Sequence, residues 1–233
     1  MMDNPLTVDT LFHLGPVPIT TPVAVTWALM IGLTLFAWLS TRRLALVPGT
    51  LQTVLELFVT TVDGQVHDTM QRDPAPFRAL IGTIFLFVLV ANWTAVLPGV
   101  EPPTAHIETD AALAMIVFVA TIAYGISGRG WRGYLATFAE PSWVMIPLNL
   151  VEQITRTFSL VVRLFGNVMS GVFVVGIVLS LAGLFLPIPL MALDLLTGAV
   201  QAYIFAVLAT VFIGAAAGET PVAAKPDKED TSP

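Results

Sequence analysis

A run of about 20 mostly apolar residues is long enough to cross a bilayer as a helix, and this chain carries five runs near or beyond that length, at 22–39, 77–97, 111–126, 147–186 and 190–217. Backbone polar groups in hydrocarbon must be satisfied within the segment, so runs of this kind fold as helices. Composition agrees. Apolar residues make up 56% of the chain and charged residues 11%, against roughly half and a quarter in an ordinary soluble domain, and mean hydropathy is +0.84. A soluble globular protein is all but excluded, and the expected fold is an all-α polytopic membrane protein. The net charge of −6 argues against a nucleic-acid partner, because phosphate binding needs clustered basic surface. The absence of cysteine rules out disulfides and thiolate chemistry. His13, His67 and His106 stand too far apart to form a ligand motif, and no metal site or cofactor is expected.

Charge placement sets the topology. If the chain crosses at each run, Arg42, Arg43, Arg72, Arg78, Arg129, Arg132, Lys225 and Lys228 fall on one side and no Lys or Arg falls on the other. By the positive-inside rule the N-terminus is outside and the C-terminus cytoplasmic. The segment before the first run has Asp3 and Asp9 but no basic residue, the reverse of a secretory leader. The expected organisation is an external segment at 1–21, a single membrane domain at 22–217 and a polar, disordered cytoplasmic tail at 219–233. Within the domain, 51–70 is too polar to cross yet places Leu51, Val54, Leu55, Phe58, Val62 and Val66 at helical spacing. That pattern predicts an amphipathic helix on the cytoplasmic membrane surface; packing on a partner subunit would give the same pattern. The stretch 147–186 is about twice the length of an upright span, so it tilts, breaks or lies partly along the membrane. A turn is expected at 187–189 (Pro-Ile-Pro), and Asn92-Trp93 reads as an interfacial anchor.

Two basic residues, Arg156 and Arg163, lie inside the long stretch. Its polar side chains fall at Asn149, Glu152, Arg156, Ser159, Arg163, Asn167 and Ser170, in steps of 3, 4, 3, 4, 4 and 3, which puts all seven on one face of a helix. Glu152 precedes Arg156 by one turn, in the favourable order for a pair; a local salt bridge and a role in ion access both remain open. Arg163 has no acid within a turn. It either snorkels, pairs elsewhere in the chain, or is a fixed cation awaiting an anion from outside the chain, and its depth of seven residues beyond Arg156 favours the last. The final run adds Asp194, Gly198 and Gln201 on one face, Asp194 being also readable as a helix-start residue after Pro189. Gly198, Ala199, Ala202 and Ala206 keep this helix thin for close approach of a neighbour.

The segment PLNLVEQITRTFSLVVRLFGN at 147–167 resembles the signature segment of subunit a of the F-type ATP synthases, the membrane stator beside the rotor, and its RLFGN core is specific to that family. The resemblance extends to FLFVLVANW at 85–93 before Leu97-Pro98, to Pro187-Ile-Pro189 and to QAYIF at 201–205. It implies about five crossing helices with one surface helix, the last two crossing helices forming a long tilted hairpin around the rotor ring. The implied partners are a ring of c subunits, b-type peripheral stalk subunits, the translocated H+ or Na+, and the lipid of a bacterial inner membrane. Arg163 matches the family's essential arginine, Asn167 the asparagine one turn on, and Gln201 the glutamine of the last helix. Glu152, Arg156 and Ser159 match polar positions on the cytoplasmic side.

Two departures stand out. Where the family often has a carboxylate nine residues after the arginine, this chain has Val172, while the varied position at 194 is Asp. The outer carboxylate is thus expected to have moved from the fifth helix to the last. In the loop before the third span a family Asp and Asn are replaced by His106 and Glu108. The resemblance implies an outer half-channel with Asp194, Gln201, Glu108 and His106 as candidates, and an inner one with Asn149, Glu152, Arg156 and Ser159. Arg163 would separate the two and discharge the rotor carboxylates. No bond is made in such a subunit, so it is a non-catalytic part of an enzyme complex. The alternatives are a Na+-translocating variant of the same enzyme and a secondary transporter or permease subunit; the second predicts internal repeats, and none is visible. A purely structural anchor would leave the polar stripe without a purpose.

Overall fold

The computed structural model describes residues 10–14, 17–42, 49–97, 100–139, 143–182 and 187–218. Six helices follow one another: α1 (Thr21–Thr41), α2 (Thr50–Met70), α3 (Ala75–Trp93), α4 (Ile107–Ala139), α5 (Ile146–Ala182) and α6 (Pro187–Ala217). All except α2 are long and apolar enough to cross a membrane, so the membrane domain is the helical bundle that the apolar runs predict. Ahead of α1 the chain adds a small antiparallel hairpin, β1 (Thr10–Leu14) with β2 (Val17–Thr20), in which Leu14 faces Val17. The all-helical reading did not include it, although Gly15-Pro16 between the strands is a turn signal. The expected tail at 219–233 lies outside the described residues.

Two expected boundaries and one side-chain placement differ in the structure. The third run, 111–126 by apolarity, is the middle of a helix that begins at Ile107 with Glu108 and Asp110 in its first turn and runs to Ala139, breaking at Gly130 (φ 73°). The acids extend it because negative charge is favourable at a helix N-terminus, and glycine allows the positive φ at the break. The turn expected at 187–189 is already helical: Pro187 and Pro189 lie in the first turn of α6, where a missing N–H costs nothing. Asn92 is not an interfacial anchor but is buried.

The core lies where α3, α4, α5 and α6 meet, with the C-terminal half of α2 against it. Ile81, Ile84 and Val88 of α3, Leu113 and Val117 of α4, Leu160 and Leu164 of α5, and Phe205, Ala209 and Ile213 of α6 form one cluster. The small stripe on α6 does what its residue sizes predict: Gly198, Ala202 and Ala206 are buried. On α2, Val62 and Val66 join the core and Phe58 stacks on Phe85 at 5.9 Å, whereas Leu51 and Val54 stay exposed. Arg78 of α3 forms a two-pronged ion pair with Asp63, and the Tyr203 hydroxyl donates to Gln65 at 2.8 Å. The apolar face of α2 is therefore covered by the chain itself along its second half only. Helix α1 stands to one side, with Trp27, Ile31, Phe36 and Leu39 exposed, as suits a helix whose surroundings are lipid or another subunit.

A buried polar clasp ties the bundle together at the α3–α4 end. The Thr104 hydroxyl donates to Asn92 Oδ1 at 2.8 Å, and Asn92 Nδ2 donates to the Gly198 carbonyl at 3.0 Å. A Cβ at Gly198 would come 3.0 Å from the Asn92 Cβ, so any larger residue there would press α6 away from α3 by a few tenths of an ångström. Replacing Asn92 by Ala takes the acceptor from the buried Thr104 hydroxyl, at a cost of about 1–3 kcal/mol for a buried group left unpaired, while the Gly198 carbonyl keeps its helical partner in α6. The Asn92→Ala variant is expected to melt at a clearly lower temperature when the purified complex is heated in detergent; an unchanged melting curve would show that the clasp carries no stability.

Candidate functional site

Helix α5 is continuous from Ile146 to Ala182, so the polar stripe does share one face. It packs on the core through a narrow seam of Leu160, Val161, Leu164 and Val168, while Val151, Ile154, Phe158 and Val162 remain exposed. Helix α6 runs antiparallel to it: Arg156 lies over the Phe212 ring at 5.5 Å, and Gly171 abuts Asp194. Arg156 pairs with Glu152, and Asn149 Nδ2 donates to the Phe138 carbonyl at 2.9 Å. Ser159 is exposed. Arg163 is also exposed and, among the described residues, has no hydrogen bond or ion pair, in contrast to Arg78 and Arg156.

Along this stripe lie two adjoining hollows of about 330 and 510 Å³ that share Glu152, Arg156 and Phe212. The first also takes in Asn149, and the second continues along Ser159 to end at Arg163. Of the expected residues, Asn149, Glu152, Arg156 and Ser159 are thus brought together with Arg163. A positive charge without a counter-charge beside it acts on any ion that approaches, the more strongly the lower the dielectric around it.

A separate cleft of about 490 Å³ lies toward the α3–α4 end, between the segment Glu101–Glu108 and the second half of α5. Glu101, His106 and Glu108 line one wall, facing Phe165, Met169, Val172 and, farther along α5, Ser180. His106 Nε2 is 3.3 Å from Glu101 Oε2. None of its lining residues is shared with the two hollows. Asp194 and Gln201 do not line this cleft. Asp194 is half-buried against α5, where a Cβ at Gly171 would come 2.8 Å from its Cγ, so the carboxylate on α6 sits beside the residue that precedes Val172. Gln201 is buried and Asn167 half-buried, and the side-chain nitrogens of both lack a hydrogen-bond partner.

Two acids escaped the sequence reading. Glu101 lies in a Pro-rich loop and carries no periodic signal; only its closeness to His106 marks it. Asp110 lies just outside the third run, whose apolarity begins at 111, yet it is one turn from His106 and continues into Leu113, Ala114 and Val117 on the buried face. That periodicity was available in the sequence. Among the described residues no three His, Asp or Glu side chains lie close enough to hold a metal ion.

The sequence pattern of the ATP synthase A chain family matches residues 23–214. The chain is 59% identical over 218 residues to "ATP synthase subunit a 2" of Bradyrhizobium sp., covering 94% of this chain and 98% of that protein. It is 44% identical over 204 residues to "ATP synthase subunit a" of Albidiferax ferrireducens, covering 87% and 88%, and 40% identical over 225 residues to "ATP synthase subunit a 2" of Pelobacter propionicus, covering 97% and 99%. With the match taking in all but the first two residues of α1 and the last three of α6, the helices that frame the cleft and the two hollows lie almost wholly inside it, and the chain belongs to the ATP synthase A chain family.

Proposed function

We propose that this chain is the ion-translocating stator subunit of an F-type ATP synthase, held by b-type peripheral stalk subunits in a bacterial inner membrane, with its N-terminus outside. In this reading the Glu101–Glu108 cleft is the outer half-channel and the Asn149–Arg163 hollows are the inner one. The observation that carries it is the placement of the two on α5. The outer cleft reaches down to Phe165 and the inner hollows reach up to Arg163, two residues apart, with no lining residue in common.

The physics follows from that offset. A carboxylate of the c ring that comes beside Arg163 is stabilised in its ionised form by the fixed cation and so gives up its H+ or Na+ to the inner hollow. After the ring has turned, the next load comes from the outer cleft. The uncompensated guanidinium repels H+ and Na+, so the two paths stay unconnected. Asp194, beside Gly171, offers a carboxylate where Val172 has none, and Asn167 and Gln201 offer side-chain nitrogens that lack a hydrogen-bond partner. The driving force is about 2.3 kcal/mol for each elementary charge moved through 100 mV.

The test is reconstitution of the complex with its c ring in liposomes, with a proton gradient and a Na+ gradient imposed in separate arms. ATP synthesis is expected in at least one arm, and the dependence of ATP hydrolysis on Na+ concentration then names the ion. Synthesis in neither arm, from a complex that still hydrolyses ATP, would overturn the reading.

A further inference from the structure

Five buried side-chain polar atoms make no hydrogen bond among the described residues, and they belong to only four residues: His106, whose Nε2 has only the 3.3 Å approach of Glu101 Oε2, Asp110, Asn167 and Gln201. Buried polar groups are normally paired with protein or with ordered water. The rest of the described bundle has no such unpaired atom, so these four residues are where water or a cation would complete the bonding. Asp110 is the one full carboxylate in the set. It is 0% exposed, and neither of its oxygens has a partner.

We propose that Asp110 is the relay carboxylate that carries the translocated cation out of the outer cleft toward Gln201 and Asn167. The inference rests on the half-channel reading given above. Three observations support it. Asp110 follows His106, which lines the cleft, by one helical turn, its backbone N–H reaching the His106 carbonyl at 3.4 Å. Beyond it the same face of α4 is closed by Leu113, Ala114 and Val117, all packed in the core. The other unpaired groups lie on the neighbouring helices: Asn167 on α5 and Gln201 on α6. Gly125 of α4 lies against Ala216 of α6, a register that sets Asp110 about level with Gln201, and Arg156 over Phe212 and Gly171 against Asp194 set Asn167 at about that level on α5, so the polar continuation from Asp110 runs across to α5 and α6 rather than along α4. The charged and titratable groups around this route are Glu101, His106 and Glu108 in the cleft, Asp194 on α6 and Arg163 on α5.

The step is simple. A proton from water in the cleft binds to the carboxylate as O–H and is released to water on the Gln201 side, or Na+ pairs with the carboxylate and moves on; no other bond is made or broken. An acid near a helix N-terminus also interacts favourably with the helix dipole, but that role would be served by Glu108 at the exposed surface and does not call for a buried, unpaired carboxylate.

The test uses the reconstituted complex under the gradient that drives wild-type synthesis. Asp110→Asn keeps the size and loses the ionisable oxygen; its synthesis rate is expected to fall about tenfold or more while ATP hydrolysis by the detergent-solubilised complex is unchanged. Asp110→Glu is expected to restore a measurable rate with a displaced dependence on the pH or Na+ concentration of the outer medium. A wild-type rate in Asp110→Asn overturns the inference. If Asp110→Asn does not assemble, Asp110→Glu decides alone: a displaced profile supports the relay and an unmoved one overturns it. Because the wild-type vesicles make ATP in the same assay, either negative result leaves the half-channel reading standing, whereas failure of the wild type to couple would strike that reading itself.

Discussion

Replacing Arg163 by Ala is expected to abolish ion-driven ATP synthesis. The magnitude follows from what the guanidinium does to a carboxylate beside it. An opposite charge at close range favours ionisation by about 10- to 1,000-fold, and without it an arriving carboxylate in a low-dielectric gap keeps its cation. Nothing else on α5 can substitute, because Arg156 is paired with Glu152 and lies two turns away. The same substitution removes the fixed positive charge between Phe165, at the foot of the outer cleft, and Ser159, in the inner hollow. Passive ion leak through the membrane part is therefore expected to rise as synthesis falls. Arg163→Lys is expected to rescue poorly, since an ammonium is a point charge that loses its proton when buried more readily than a planar guanidinium does. Synthesis by Arg163→Ala at the wild-type rate, in vesicles with normal ATP hydrolysis, would remove the residue from the mechanism.

Gly171→Ala is expected to be the second most damaging change. A Cβ at this position would sit 2.8 Å from the Asp194 Cγ and closer still to a carboxylate oxygen, so α5 and α6 must separate or Asp194 must leave its place. The atoms in the way are the tip of the half-buried Asp194 side chain, so the carboxylate is turned out of its place, with overpacking of up to about 1–3 kcal/mol where it cannot turn, and the change falls beside the outer cleft. Expected together are less assembled complex and slower synthesis. The double variant Gly171→Ala with Asp194→Gly makes room for the new methyl group and is expected to recover assembly. It is not expected to recover the synthesis rate, because the carboxylate is gone. Full recovery of both would show that Asp194 matters only for its volume.

Much of this architecture could be read from residue pattern. The five crossing helices follow from apolar runs, and the polar face of α5 follows from steps of 3 and 4 over residues 149–170. The pairing of Glu152 with Arg156 is local and was legible for that reason. What the pattern missed is non-local or conceals itself at a boundary. The Asn92–Thr104–Gly198 clasp joins three segments distant in sequence, and no periodicity announces it. Asp110 went unnoticed because a run defined by hydropathy ends where a charge begins, although a functional helix can begin with that charge. The placement of Asp194 beside Gly171 needed the fold, since only the antiparallel packing of α5 on α6 brings the two together.

The central claim is that two aqueous paths approach Arg163 from opposite sides of the membrane without meeting, and the lack of cysteine in the chain makes it directly measurable. Single cysteines at Val172, which lines the outer cleft, and at Ser159, which lines the inner hollow, are introduced into the intact complex. Each is challenged with a membrane-impermeant thiol reagent in right-side-out and in inverted vesicles. The expected result is labelling of Val172→Cys only from the outside and of Ser159→Cys only from the cytoplasmic side, with Arg163→Ala opening both positions to reagent from either side. Labelling of both positions from the same side with Arg163 in place would contradict the two-path account.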